Sequence, residues 1–144
     1  MGLSPPFGLP AGARVTVDSA PLIYFLENHR IYAQRFEPLF VANATGTLEI
    51  VISSIAVAEV LAGPLKGGNE ALADRYRRTL AEWQTVPVDA ELAALAARLR
   101  ASHGLRLPDA IHAATALSTD STALVTHDRD FSGLKGLRII DGSA

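Results

Sequence analysis

The chain contains no cysteine. Disulfides, thiolate zinc sites and cysteine nucleophiles are therefore excluded, and any metal must be held by oxygen or imidazole. The absence fits a reducing compartment, so a cytoplasmic location is expected. A long hydrophobic run is missing too: no stretch approaches the roughly 18 apolar residues that span a bilayer, and no membrane association is expected. Neither sign of charge dominates, with 13 Lys and Arg against 15 Asp and Glu for a net charge of −2. The strong basic excess of many nucleic-acid binders is absent. The first 13 residues carry no charged side chain and hold Pro5, Pro6 and Pro10, without the basic start or apolar run of a signal peptide. They read as a flexible tail over 1–13, ahead of one domain over 14–144. At 144 residues, 49% apolar and 19% charged, the chain has the composition of a folded globular domain with one core.

From Arg14 onward, short β-branched runs alternate with longer helical patterns, the signature of βα units closing a parallel sheet. Strands are expected at 15–17, 48–52, 86–88 and 123–126, with a weak fifth at 137–140. Helices are expected at 21–27, 31–42, 70–83, 90–102 and from Pro108 to about Leu117. A further helix, capped by Ser53 or Ser54, is expected to stop at Gly63 and Pro64. Asp89 is a natural cap for the alanine-rich helix, and His103-Gly104 its natural end.

Four acids interrupt otherwise apolar segments. Asp18 directly follows the first strand, where an open parallel sheet places its ligand crevice. Glu59 sits inside Ile55-Ala56-Val57-Ala58-Glu59-Val60-Leu61. Asp109 lies in the first turn of Pro108-Asp109-Ala110-Ile111-His112-Ala113-Ala114. Asp128 follows the fourth strand, with Asp130 close behind. Taken singly, an Asp after a strand or at a helix start is most often a turn or cap residue. Glu59 resists that reading, because a carboxylate in an apolar helix must be paired, metal-bound or at a cleft edge.

Brought into one crevice, these groups repel one another unless a cation neutralises them. Mg²⁺ or Mn²⁺ suits such oxygen-rich clusters, and a phosphodiester is the matching substrate class. With Asp18, Glu59, Asp109, Asp128 and Asp130 set aside, ten acids face 13 basic residues, leaving an exterior of about +3. Arg30, Lys66, Arg106 and Arg129 are the candidates for phosphate or RNA contact, while Arg75, Arg77 and Arg78 read as a solvated helix face. His112, three residues after Asp109, and His127, beside Asp128, are each more often packing or surface residues than ligands. The aromatic bulk of Tyr24, Phe25, Tyr32, Phe36 and Phe40 reads as core rather than interface.

Four motifs in order resemble the PIN domain family, and within it the VapC-type toxins. They are Val15-Thr16-Val17-Asp18-Ser19, Ser53-Ser54-Ile55-Ala56-Val57-Ala58-Glu59-Val60-Leu61, Leu107-Pro108-Asp109-Ala110-Ile111-His112 and Val125-Thr126-His127-Asp128-Arg129-Asp130-Phe131. The resemblance implies a three-layer α/β/α sandwich with a central, mostly parallel sheet of four to five strands. It implies a Mg²⁺- or Mn²⁺-dependent endoribonuclease, homodimeric and restrained by a VapB-like antitoxin. Asp18, Glu59, Asp109 and Asp128 would be the catalytic and metal-site acids, with Asp130 a further metal-site partner. Ser19 and Thr126 would support them. Two other readings stay open: an inactive PIN-like module that binds RNA or protein, and a haloacid-dehalogenase-like phosphatase. The latter family wants a second Asp two residues after the first, where this chain has Ala20.

Overall fold

The structure, a computed structural model, describes residues 4–127, 131 and 134–143. Asp128, Arg129 and Asp130 lie outside the described residues. Five parallel strands, β1 (Arg14–Val17), β2 (Glu49–Ser53), β3 (Gln84–Val86), β4 (Ala123–Val125) and β5 (Arg138–Ile140), form one sheet in the order β3-β2-β1-β4-β5. Among the described residues six α-helices accompany them, α1 (Ser19–Leu26), α2 (Tyr32–Ala44), α3 (Ser54–Lys66), α4 (Glu70–Leu80), α5 (Ala90–His103) and α6 (Leu107–Ser118), with a short 3-10 turn at Pro6–Gly8.

Both faces of the sheet are covered, as parallel sheets require. Alternation along each strand divides the apolar side chains between two cores. Val15, Val17, Ile50, Ile52 and Val125 pack with Leu22, Phe36, Leu39, Val60, Leu80 and Trp83 from the first four helices and the end of α4. Leu124 points the other way, to Leu92, Ala96, Leu99, Ala110, Ala113 and Phe131. The expected α/β/α sandwich is the observed architecture. Residues Asp109 through Ala116 of α6 are all buried. Their mostly small side chains let α6 lie close against β1, β2 and β4, which carries Asp109 and His112 to the carboxyl ends of the central strands.

The sheet reverses its winding at β1, with β2 on one side and β4 on the other. This is where a crevice opens in such sheets. Asp18 ends β1 and caps α1, and Thr126 ends β4.

Two element boundaries differ from expectation. The helix carrying Glu59 runs through Gly63 and Pro64 to Lys66. Pro64 removes a single donor near the helix end, and the chain turns only at Gly67–Gly68, where Gly68 adopts a φ of 71°. The third strand lies at Gln84–Val86, not 86–88, because Gln84, Thr85 and Val86 are the residues in register with Val51, Ile52 and Ser53. Pro87 has no N–H with which to continue the ladder. Within residues 4–13, ahead of β1, Leu9 and Ala13 are buried, Gly12 N–H donates to the Thr47 carbonyl at 2.8 Å, and Arg138 donates to the Phe7 carbonyl, so this stretch straps onto the domain at those points.

Among the described residues no helix is long and apolar enough to cross a membrane.

Gly142 fixes the floor of the first core. Its φ is 83°, and an added Cβ would come 2.7 Å from Cζ of Phe36, a fully buried ring. Gly142→Ala should therefore combine left-handed strain with overpacking and lower stability by about 2–4 kcal/mol. Gly46→Ala, at φ 79° with open space around the new carbon, should cost only about 1–2 kcal/mol. Urea unfolding of the two variants side by side measures the difference, and equal losses would remove Phe36 from the explanation.

Candidate active site

A cleft of about 480 Å³ at the carboxyl end of the sheet is lined by Asp18, Ser19, Tyr24, Glu59, Arg106, Asp109 and His127, among others. Four segments deliver its polar groups: the β1–α1 junction, the middle of α3, the start of α6 and the end of β4. Each position follows from local structure. Asp18 is extended (φ −68°, ψ 164°) and caps α1, its Oδ1 accepting from Ser19 N–H at 2.6 Å. The cap reading and the site reading therefore coincide in one residue. Its Oδ2 accepts from the Thr126 hydroxyl at 2.8 Å, so both carboxylate oxygens are fixed. Thr126 is fully buried and Asp18 nearly so.

Glu59 is half-buried on α3. Asp109, in the first turn of α6, is buried and accepts from Arg106 Nε at 3.1 Å. The Arg106 side chain is 77% exposed, so this ion pair has one foot in solvent and contributes little to stability. Arg106 thus lines the cleft. Arg30 and Lys66 are exposed and outside the cleft lining.

The residue that sequence reasoning set aside is His112. Fully buried, it places Nε2 at 2.8 Å from Glu59 Oε1 and 3.2 Å from Asp18 Oδ1. An imidazole N–H at that point bridges two carboxylates that would otherwise face each other. The signal was present in the sequence: His112 lies one turn beyond Asp109 on a helix with no other ionisable group. What the sequence could not show was that α6 is buried all round, so that the histidine has nowhere to go but toward the acids. Its Nδ1 has no hydrogen-bond partner among the described residues.

The electrostatics follow from this packing. Burial alone would push the His112 pKa down, but the Glu59 hydrogen bond and the charges of Asp18, Glu59 and Asp109 more than offset it, and the net shift is upward. Burial likewise pushes Glu59 up. The hydrogen bond and charge of His112, a hydrogen bond from Ser19 and the charge of Arg106 reverse that, leaving Glu59 below the usual carboxylate range.

The donor set suits a divalent ion. One ligand atom each from Asp18, Glu59 and His112 lies within 4.8 Å of the others, and Asp109 opens on the same cleft. Carboxylate oxygens dominate, which favours a hard cation such as Mg²⁺ or Mn²⁺, and the single imidazole is more congenial to Mn²⁺.

With this geometry in view, comparison with known proteins is direct. The PIN domain family matches residues 15–137, and the chain belongs to that family. No curated protein matches it. Among solved structures it is similar to a toxin–antitoxin complex from Klebsiella pneumoniae, at 25% identity and a TM-score of 0.70, covering 90% of this chain and 98% of that one. VapBC2 from Rickettsia felis, bound to a DNA fragment from its promoter, gives 19% identity and a TM-score of 0.71 over 88% and 96%. VapC20 from Mycobacterium tuberculosis, a sarcin-ricin loop cleaving toxin, gives 17% and 0.68 over 86% and 98%.

A histidine whose pKa rises on folding contributes stability below its unfolded value and loses it as pH climbs through the folded one. Glu59, shifted down, contributes above its unfolded value and loses that contribution as pH falls through its folded one. In EDTA the urea midpoint should therefore decline from mildly acidic pH through the raised His112 pKa, and His112→Gln should flatten that alkaline limb. Superimposable pH profiles for the two proteins would remove the charge on His112 from the account.

Proposed function

We propose that this chain is a Mg²⁺- or Mn²⁺-dependent endoribonuclease, the toxin of a toxin–antitoxin pair. The observation that carries the reading is the convergence of Asp18, Glu59 and Asp109 in one cleft of a PIN domain. Support comes from the toxins among the similar structures, one of them a sarcin-ricin loop cleaving toxin.

In this reading Asp18, Glu59 and Asp109 hold the cation, and Asp128 and Asp130, outside the described residues, complete the acidic set. When bound, the ion supplies Lewis-acid polarisation of the phosphate and a water of lowered pKa. The chain's own residues do the rest. Thr126 and the Ser19 amide hold the Asp18 carboxylate in one orientation, the kind of outer support on which ligand geometry depends. His112 keeps Asp18 and Glu59 together before the cation arrives. Arg106 sits at the cleft edge, where its guanidinium meets a phosphate oxygen. Asp109, beside it, or Asp128 would orient the attacking water. Arg30, Lys66 and Arg129 are proposed to contact the RNA backbone farther along. The products would carry 5′-phosphate and 3′-hydroxyl ends.

The likeness to VapBC structures also proposes a VapB-like antitoxin as partner, and a homodimer. A groove of about 570 Å³ lined by Phe25, Leu26, Phe40 and Trp83, among others, offers apolar surface for the antitoxin. There Phe25 stacks on Phe40 at 4.0 Å, so the aromatic bulk of the first two helices serves core and surface together.

Substitution and metal removal test the proposal. Asp18→Asn keeps an oxygen to cap α1 and should fold normally, yet it should lower cleavage of a fluorogenic RNA by more than about a hundredfold. It should also abolish growth arrest on expression. EDTA should silence the unaltered protein, with Mn²⁺ restoring it. Cleavage surviving either treatment overturns the metal reading, whereas RNA binding without cleavage under any condition identifies an inactive module.

A further inference from the structure

The acidic cleft carries a cation of the protein's own. Arg106 is the N-cap residue of α6, a position that favours a short oxygen-bearing side chain, and its side chain makes no capping hydrogen bond there. A helix cap is thus forgone where a guanidinium stands at the rim of the cleft. The backbone at this point is pinned. Leu105 before it is buried, the Arg106 carbonyl accepts from Ala110 N–H at 2.9 Å, and Pro108 stiffens the first turn that follows. Rearrangement is left to the side chain, most of which stands in solvent.

That guanidinium holds Asp109, with Nε donating to Oδ2 at 3.1 Å. Its charge is also felt at Glu59, where it adds to the groups that keep the carboxyl below its usual range. In the nuclease reading, however, Asp109 serves the cation and Arg106 serves a phosphate. Both engagements compete with the ion pair. Coordination draws electron density from the carboxylate and weakens its hold on Nε, and a guanidinium beside a divalent ion is repelled by it. A pair with one partner in solvent is worth a factor of about five or less in an equilibrium constant, so its exchange is easy.

We propose that Arg106 is an exchangeable counter-ion: its guanidinium trades Asp109 for a phosphate of the RNA strand, and Asp109 trades the guanidinium for the divalent cation. The inference rests on the metal-dependent nuclease reading for the identity of both incoming groups. Its consequence is coupling. Strand and cation each remove the other's competitor, so each tightens the binding of the other, and the effect is reciprocal. Arg106 is therefore a positioning residue whose two partners are used in turn, and the cation is held more firmly where a phosphodiester takes the arginine away.

The exchange is read in two affinities, each measured without turnover. Calorimetry gives the Mn²⁺ affinity of the RNA-free protein, and fluorescence anisotropy in EDTA gives the affinity for a short labelled oligouridylate. Arg106→Gln should move them in opposite directions, with Mn²⁺ bound about threefold to fivefold more tightly and the oligouridylate about threefold to tenfold more weakly. A merely structural role would weaken both. Simple repulsion between guanidinium and ion would tighten Mn²⁺ whatever stands at position 109, so the substitution is repeated on Asp109→Asn, where the gain should disappear. Parallel shifts, or a gain that survives in the Asp109→Asn background, overturn the exchange. Should Arg106→Gln melt early, NMR of the unaltered protein replaces it. Mg²⁺, and separately the oligouridylate in EDTA, should each shift the Arg106 Nε–H resonance, and a resonance that neither moves overturns the proposal. Cleavage of RNA by the unaltered protein in Mn²⁺ is followed separately. Opposite shifts without cleavage support the exchange and remove the nuclease, and cleavage with parallel shifts does the reverse.

Discussion

The site depends on one arrangement of charge: an imidazole nitrogen set between two carboxylates at the end of a buried sheet. Crowding Asp18, Glu59 and Asp109 together would be unfavourable in a low-dielectric pocket. His112 makes it tolerable, with Nε2 within 3.2 Å of both Asp18 and Glu59. This explains why the apolar α6 tolerates a histidine at a fully buried position. The helix is rich in alanine so that it can approach the sheet closely, and that approach delivers the imidazole to the acids. Packing and chemistry are thus the same set of contacts.

The same proximity gives the site two ways to balance its charge. A proton shared among His112 and the carboxylates is one, and the divalent ion proposed for the cleft is the other. Thr126 and the Ser19 amide hold Asp18 in a fixed orientation under either arrangement. Much of the site's geometry is therefore built in before any ligand arrives, which is what preorganisation means in physical terms.

Much of this was legible in the sequence for reasons that can be named. The strands containing Val15, Ile50 and Leu124 are short β-branched or aliphatic runs separated by helical patterns, and that alternation leaves little besides a parallel sheet with two covered faces. Asp18, Glu59 and Asp109 stood out because each broke an apolar segment. His112 was noticed but discounted, since a single helical histidine carries no information about which element packs over it. The segment before Arg14 was ambiguous for a related reason. Missing charge and several prolines describe a loose tail and a close-fitting strap equally well, and the burial of Leu9 and Ala13 is information the sequence pattern does not carry. Val86-Pro87-Val88 looked like a strand by residue type, but pairing with Val51 to Ser53 shifted the ladder to end before the proline.

The margins of the sheet have a consequence of their own. β3 and β5 are the outer strands, and each is only three residues long. Pro87 blunts one border, and the other is tied to the amino-terminal strap through the Arg138 guanidinium and the Phe7 carbonyl. Neighbouring molecules therefore find few exposed backbone groups with which to extend the ladder. Self-association by sheet extension is discouraged.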